Sequence, residues 1–547
     1  MNNLRPTLYV LLAMILFFIW TDWENRATPH PVPTVATQTI PNAPGSTPQA
    51  PTRIVPTAPH SAAIAAPNAT LTLSGPSVHV HTDTMTATIS TTGANIGDLV
   101  LHRYFRDKSR GQKFYPLLRP SGAKEFINQN GLLAYGPVPN QNSPYTTTRT
   151  DYRLKAGHQH LRVPFRWAQK GLVVVKTYTF TRDSYVIGVS YDIQNTSTKA
   201  RHIYLYNQFL HGPPPETHFY HSEPIYIGAS FYTPAQKYQK LPFPDMAKHP
   251  LEKTAQGGWV AISQHYFLGA AIPPAQTPAI FYSAALSGPR YMVGYKTATA
   301  VVVKPQAHAT LKTLLFLGPK TPSVLKTVAP GLSLTVDYGW LTVLAQPLYW
   351  VLAHIEHVIG NWGVAIILLT VLIKLIFFPL SAASFKSMAK MRRLQPRMAA
   401  LKERHGSDKS ALQQAMIDLY KQEKMNPLGG CLPMIVQIPV FIALYWVLLD
   451  TVALRDAPFI LWIHNLAAPD PYFVLPILMG ASMVVQQLLN PAVVDPMQRK
   501  IMMFMPVIFT TFFLFFPAGL VLYWVVNNVL SILQQWWIIG RVEKGAS

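Results

Sequence analysis

The last two-fifths of this 547-residue chain hold five apolar stretches, at 362–380, 428–449, 472–490, 501–516 and 519–538, and nothing else constrains the fold as much. At 1.5 Å per helical residue each is about long enough to cross a hydrocarbon core near 30 Å, the fourth only barely. Only 13% of the residues are charged, against about 25% in ordinary soluble domains. This argues against a simple soluble enzyme, and a helical membrane bundle is the expectation for the second half.

Charge placement orients the stretches. Residues 381–427 carry ten Lys and Arg against four acids, whereas 450–471 carry only Arg455 against Asp450, Asp456 and Asp470. Arg499 and Lys500 lie in the connection 491–500, and Arg541 and Lys544 in the tail 539–547. Alternation puts 381–427, 491–500 and the C-terminus in the cytoplasm and 450–471 outside. A further apolar run, TLYVLLAMILFFIW at 7–20, follows Arg5. It is short for a span, as a signal peptide is, but TDWENR rather than a small-residue cleavage site comes next. This favours an uncleaved signal anchor over 1–23 with a cytoplasmic N-terminus, and six spans in all.

Between the anchor and the bundle lie a Pro/Ala/Thr-rich linker at 24–70 and a region at 71–340 punctuated by Gly, Pro and Asn. In the latter Tyr185, Ile187, Val189, Tyr191 and Ile193 alternate with small or polar residues, the period-two mark of a strand with one buried face. Segments 171–180, 265–272 and 297–303 read as further strands. The expectation is an exported, large antiparallel β-sandwich. It lacks Cys, since Cys431 is the only one in the chain, so no disulfide framework exists. Residues 1–340 hold 30 basic and 14 acidic residues, which suits either an acidic exterior or an anionic partner surface. Residues 341–361, apolar but broken by Pro347, His354, Glu356 and His357, read as an interfacial amphipathic helix, or as a helix packed under the β domain.

The insert 381–427 reads as a basic helical hairpin turning at 405–407. Met388, Met391 and Met398 on the first helix and Met416 on the second belong to apolar stripes. Such a stripe glues two helices together, or offers a soft surface to varied apolar clients. Lys374 stands inside the 362–380 stretch, where a Lys costs roughly 2.5–3.5 kcal/mol at mid-membrane. It either snorkels to headgroups or faces inward with Thr370, one turn away. Gln437, Gln486, Thr510, Tyr523, Asn527 and Asn528, with Gln487, Thr511, Ser531, Gln534 and Gln535, add polar groups at similar depth. These imply interhelical hydrogen bonds or a wet groove open to the cytoplasm. Nucleotide, zinc-protease and serine-hydrolase motifs are missing, as are intramembrane Asp and Glu and any inverted repeat of spans. No cofactor or metal is expected, and a transporter or channel is the weaker alternative.

The strings SMAKMRRLQPRM (387–398), KMNPLGGCLPMIVQIPVFIALYW (424–446), LRDAPFILWIHNLAAPDPYFVLPILMG (454–480) and DPMQRKIMMFMPVIFTTFFLFFPAGLVLYW (495–524) resemble the YidC-type bacterial membrane protein insertases. The resemblance covers about 340–547; before that only the layout of anchor, linker and β domain matches. It implies a periplasmic β-supersandwich, a five-helix insertase core in a Gram-negative inner membrane, and a non-enzymatic insertase and chaperone. Nascent membrane proteins, the Sec translocon, anionic phospholipids and the ribosome are the implied partners, without specific nucleic acid. The short tail GRVEKGAS gives no long basic extension for a ribosome. The family's intramembrane cation is usually Arg; Lys374 keeps the charge but lacks the guanidinium fork.

Overall fold

A computed structural model describes residues 75–107, 113–122, 125–212, 226–406, 408–423, 432–490 and 496–544. The expected anchor at 1–23, the linker at 24–70 and residues 545–547 lie outside these.

From Ser77 to Pro319 the described chain forms strands in two packed sheets, one of eleven strands and one of eight. Pairing is antiparallel except where Ser77–His81 runs parallel to Asp151–Arg153. The period-two pattern is obeyed at Val186–Asn195 and along all of Leu172–Thr181, whose alternate residues are buried. Tyr178, Ile187 and Tyr191 meet Phe165, Phe209 and Phe316 in the core between the sheets. Phe267–Ile272 is buried throughout because it sits mid-sheet, flanked by Trp259–Ser263 and His308–Pro319.

The expected strand at 297–303 is corrected. Arg290–Thr297 and Val301–Val303 are separate strands pairing with one neighbour, Arg201–His211, in registers that do not match. At the gap the Thr297 hydroxyl accepts from Leu205 N at 3.1 Å, replacing a ladder bond that the shifted backbone cannot make.

After the sandwich come helices α1 (Thr342–Ile359), α2 (Trp362–Ile376), α3 (Phe378–Arg404), α4 (Lys409–Gln422), α5 (Leu432–Asp450), α6 (Val474–Leu489), α7 (Pro496–Phe513) and α8 (Ala518–Lys544). The α1 helix ends at Gly360, φ +73°, and Asn361 caps α2 by accepting from Val364 N at 3.1 Å. Val343, Trp350 and Val358 on α1 are well exposed.

Among the described residues no single helix is long and apolar enough to cross a membrane alone. Together α2 and α3 pass that test, with a 67° bend between them; apolar parts of α5, α6 and α7 are shorter. The straight stretch expected over 362–380 therefore breaks at Phe377. Pro379 stands in the first turn of α3, where its ring tolerates a new helix start but not continuation of the old one.

The connection at 451–473 folds over the β-domain end of the bundle. Phe459 packs on Gly363, where a Cβ would lie 2.0 Å from its ring, and its carbonyl accepts from Asn361 Nδ2 at 3.0 Å. Backbone bonds from Ala518 N to Ala468 O and from Gly519 N to Leu466 O tie it to α8. Asp470 fixes the turn into α6, accepting from Trp462 Nε1 at 3.0 Å, Tyr472 N at 3.0 Å and Leu475 N at 2.7 Å.

Candidate functional site

The α8 helix organises the polar groups of the bundle. Its apolar sequence is interrupted at Asn527, Asn528, Ser531, Gln534 and Gln535. At 100° per residue these fall in two stripes about a quarter-turn apart, one of 527, 531 and 534 and one of 528 and 535. Each stripe meets different neighbours.

The first stripe holds the cation. Lys374 lies two residues before the end of α2, and its Nζ donates to Ser531 Oγ at 2.7 Å. The Ser531 hydroxyl donates in turn to Asn527 O at 2.8 Å. Beside them Gln437 Nε2, on α5, donates to Asn527 Oδ1 at 2.7 Å, and the Tyr523 hydroxyl lies next to Gln437. Tyr523 is buried and its ring stacks on Phe441. Lys374, Gln437, Ser531 and Gln534 are half-buried, Asn527 is buried, and the Gln534 side-chain oxygen is a buried atom with no partner among the described residues. Nor does any described carboxylate pair with Lys374. The set is thus a half-open row of donors and acceptors with one uncompensated cation, at the end of the bundle away from the β domain.

The second stripe is closed. Asn528 Nδ2 donates to Ser482 Oγ at 3.0 Å, and Gln535 Nε2 donates to Leu489 O at 3.1 Å. Gln486 Nε2 donates to Gln535 Oε1. Asn528 and Gln535 are buried, so this ladder joins α6 to α8. Thr370 is also buried and spends its hydroxyl on Ile366 O at 2.7 Å in its own helix. Thr510 does likewise on Pro506 O at 2.7 Å while packing on Gly480, where a Cβ would lie 2.1 Å from its hydroxyl. Of the eight residues singled out in the sequence, Lys374, Gln437, Asn527 and Tyr523 are brought together. Gln486 and Asn528 stand on the other ladder, and Thr370 and Thr510 serve their own helices. Ser531 carries the contact to Lys374, a role its i, i+4 spacing from Asn527 hinted at without showing its neighbour.

The hairpin forms as two helices, Asp408 capping α4 by accepting from Ser410 N at 2.9 Å and Ala411 N at 3.0 Å. Its seam is Leu394, Met398 and Leu419, flanked by Leu401, Met416 and Tyr420. Arg397 and Glu423 pair across it at 2.5 Å. Met398 is therefore enclosed between the two helices, whereas Met388 and Met391 lie outside the seam and half-exposed. Among the described residues no three His, Cys, Asp or Glu side chains converge as metal ligands.

A family model described as 60Kd inner membrane protein matches residues 354–545, and one described as YidC periplasmic domain matches residues 77–351. Over 548 residues the chain is 45% identical to the membrane protein insertase YidC of Methylobacillus flagellatus, covering 100% of this chain and 99% of that one. It is 46% identical over 552 residues to the corresponding insertase of Alkalilimnicola ehrlichii, covering 99% and 96%. A solved structure described as an active YidC insertase with the first transmembrane domain resolved is similar at 17% identity and a TM-score of 0.39, over 84% of this chain and 92% of that one.

Proposed function

Because the chain belongs to the YidC family of membrane protein insertases, we propose that it integrates newly made inner-membrane proteins through a polar groove centred on Lys374 and open to the cytoplasm. The observation that supports this most is the Lys374–Ser531 contact at 2.7 Å beside the Gln437–Asn527 bond at 2.7 Å. A client must carry polar, often acidic, segments past hydrocarbon, where unsatisfied groups are costly. The half-open row offers such a segment hydrogen-bond partners and one positive charge, whose pull is stronger in a low dielectric than in water.

In this reading α2, α5 and α8 form the groove wall, and the connection 451–473 closes its outer end. The client's apolar segment moves past α5 and α7 into lipid. An acidic segment moving outward gains about 2.3 kcal/mol per charge per 100 mV of membrane potential. The step needs no covalent chemistry and no nucleotide. The basic hairpin lies against anionic phospholipid on the cytoplasmic side, where Met388 and Met391 meet the client first, delivered directly or from the Sec translocon. Both termini are cytoplasmic and the β domain is periplasmic.

The test is reconstitution of the purified full chain in proteoliposomes with a freshly synthesised client. Integration proceeds without ATP hydrolysis, Lys374→Ala lowers it for clients with acidic translocated segments, and Lys374→Arg retains it. Normal insertion by the Ala variant would sink the role of Lys374, and saturable solute flux without integration would favour a transporter.

A further inference from the structure

We propose that Ser531 is the positioning residue for Lys374, and that it sets the preference for acidic over neutral client segments. This rests on the reading of Lys374 as the client's charge site. The Lys374 side chain starts two residues from the end of α2. A free four-carbon stem there reaches outward past the helix end, the usual behaviour of Lys near an interface. Here it turns sideways to α8 instead, held by Ser531 Oγ at 2.7 Å.

The hydroxyl suits that task. Its one proton goes to Asn527 O at 2.8 Å, so its lone pairs face the ammonium and it acts only as an acceptor toward Lys374. Being neutral, Ser531 fixes the cation without cancelling it, as a carboxylate would. Among the described residues one of the three ammonium donors is used, which leaves two for a client carboxylate. A guanidinium has a planar fork that sets its own geometry, whereas an ammonium on a flexible stem needs an external anchor. Ser531 supplies that anchor.

Two reporter clients identical except for Asp or Asn in the translocated segment test this in proteoliposomes, read as the ratio of acidic to neutral insertion. Wild type, Lys374→Ala, Ser531→Ala, Ser531→Thr and the Lys374→Ala/Ser531→Ala double variant are compared at equal amounts of folded protein. The expected result is a several-fold fall in the ratio for Ser531→Ala, restoration by Ser531→Thr, and a double variant no worse than Lys374→Ala, because the two residues act as one unit. A wild-type ratio for Ser531→Ala beside a defective Lys374→Ala would overturn the positioning role alone. Equal losses for both clients, adding to those of Lys374→Ala, would make Ser531 a packing residue. A wild-type ratio for Lys374→Ala would remove the reading beneath it as well.

Discussion

The Lys320 ammonium lies 3.3 Å from the Asp450 carboxylate, with side-chain exposures of 4% and 9%, where the strand His308–Pro319 leaves the β domain and α5 ends. Around this pair the β domain grips the connection 451–473. Arg455 donates to Phe105 O at 2.7 Å and lies 4.9 Å from the Tyr115 ring centroid, and Asp456 accepts from Phe105 N at 3.3 Å. The same connection closes the end of the bundle, so the β domain and the closure share one joint.

Removing one member of the pair strands a buried charge. Lys320→Met or Asp450→Asn is expected to destabilise the joint by about 3–5 kcal/mol, and an apolar replacement of both to recover most of that. Thermal unfolding of the detergent-solubilised chain, with hydrogen exchange at 450–470, measures it. A double variant as unstable as the sum of the singles would count against the pair as a unit.

The joint is also expected to weaken in acid. His265 Nε2 lies 3.0 Å from Leu449 O and its ring stacks on Tyr266. Burial first, then the nearby Lys320 and Arg455 charges, push its pKa from 6.5 down to about 3. The unfolded chain thus takes up a proton below pH 6.5 that the folded joint refuses. The stability contribution is complete above pH 6.5, erodes as pH falls by up to about 1.4 kcal/mol per unit, and levels off near pH 3. His265→Asn should flatten the stability profile between pH 7 and 5 relative to wild type; parallel profiles would show that another group governs.

How far the sequence reached depended on whether a feature was periodic. Alternation placed Tyr185, Ile187, Val189, Tyr191 and Ile193 inside the sandwich, and all are buried. Helical spacing put Met398 on an apolar stripe, and it lies in the seam with Leu394 and Leu419. Periodicity gives a face but not a neighbour, so the split of α8 into a stripe at Asn527 and Ser531 that meets Gln437 and Lys374 and one at Asn528 and Gln535 that meets α6 was not legible. Nor was the fold of 451–473, which has no period and is held by Asp470 and backbone bonds across long separations.

Lys176 shows the same limit from inside the core. Alternation along Leu172–Thr181 assigns it to the buried face, where a Lys is rarely tolerated, and it is fully buried. Its Nζ donates to Gly93 O at 3.0 Å, Ala94 O at 2.9 Å and Asn130 O at 3.1 Å, and the Tyr178 ring centroid is 5.1 Å away. It pins a turn of one sheet to a strand of the other. Lys176→Met keeps the stem but withdraws three donors, with Tyr178 OH still serving Ala94 O at 2.6 Å. We expect a loss of roughly 1–3 kcal/mol in urea unfolding of the β-domain transition. An unchanged or raised midpoint would mean that relief of the buried charge outweighs the lost bonds.

The hairpin separates structure from capture in two methionines seven residues apart. Met398 is 6% exposed between Leu394 and Leu419, so Met398→Ala opens a cavity and should cost about 2–5 kcal/mol, seen as faster hydrogen exchange along α3 and α4. Met391 lies outside that seam and half-exposed, so Met391→Ala should leave exchange nearly unchanged. If the hairpin receives clients, a photocrosslinker at Met391 captures nascent chains early, while one at Met398 captures α4 instead. Early client adducts at both positions would mean that the seam opens during insertion, and none at Met391 at full expression would leave the stripe as glue for α4 alone.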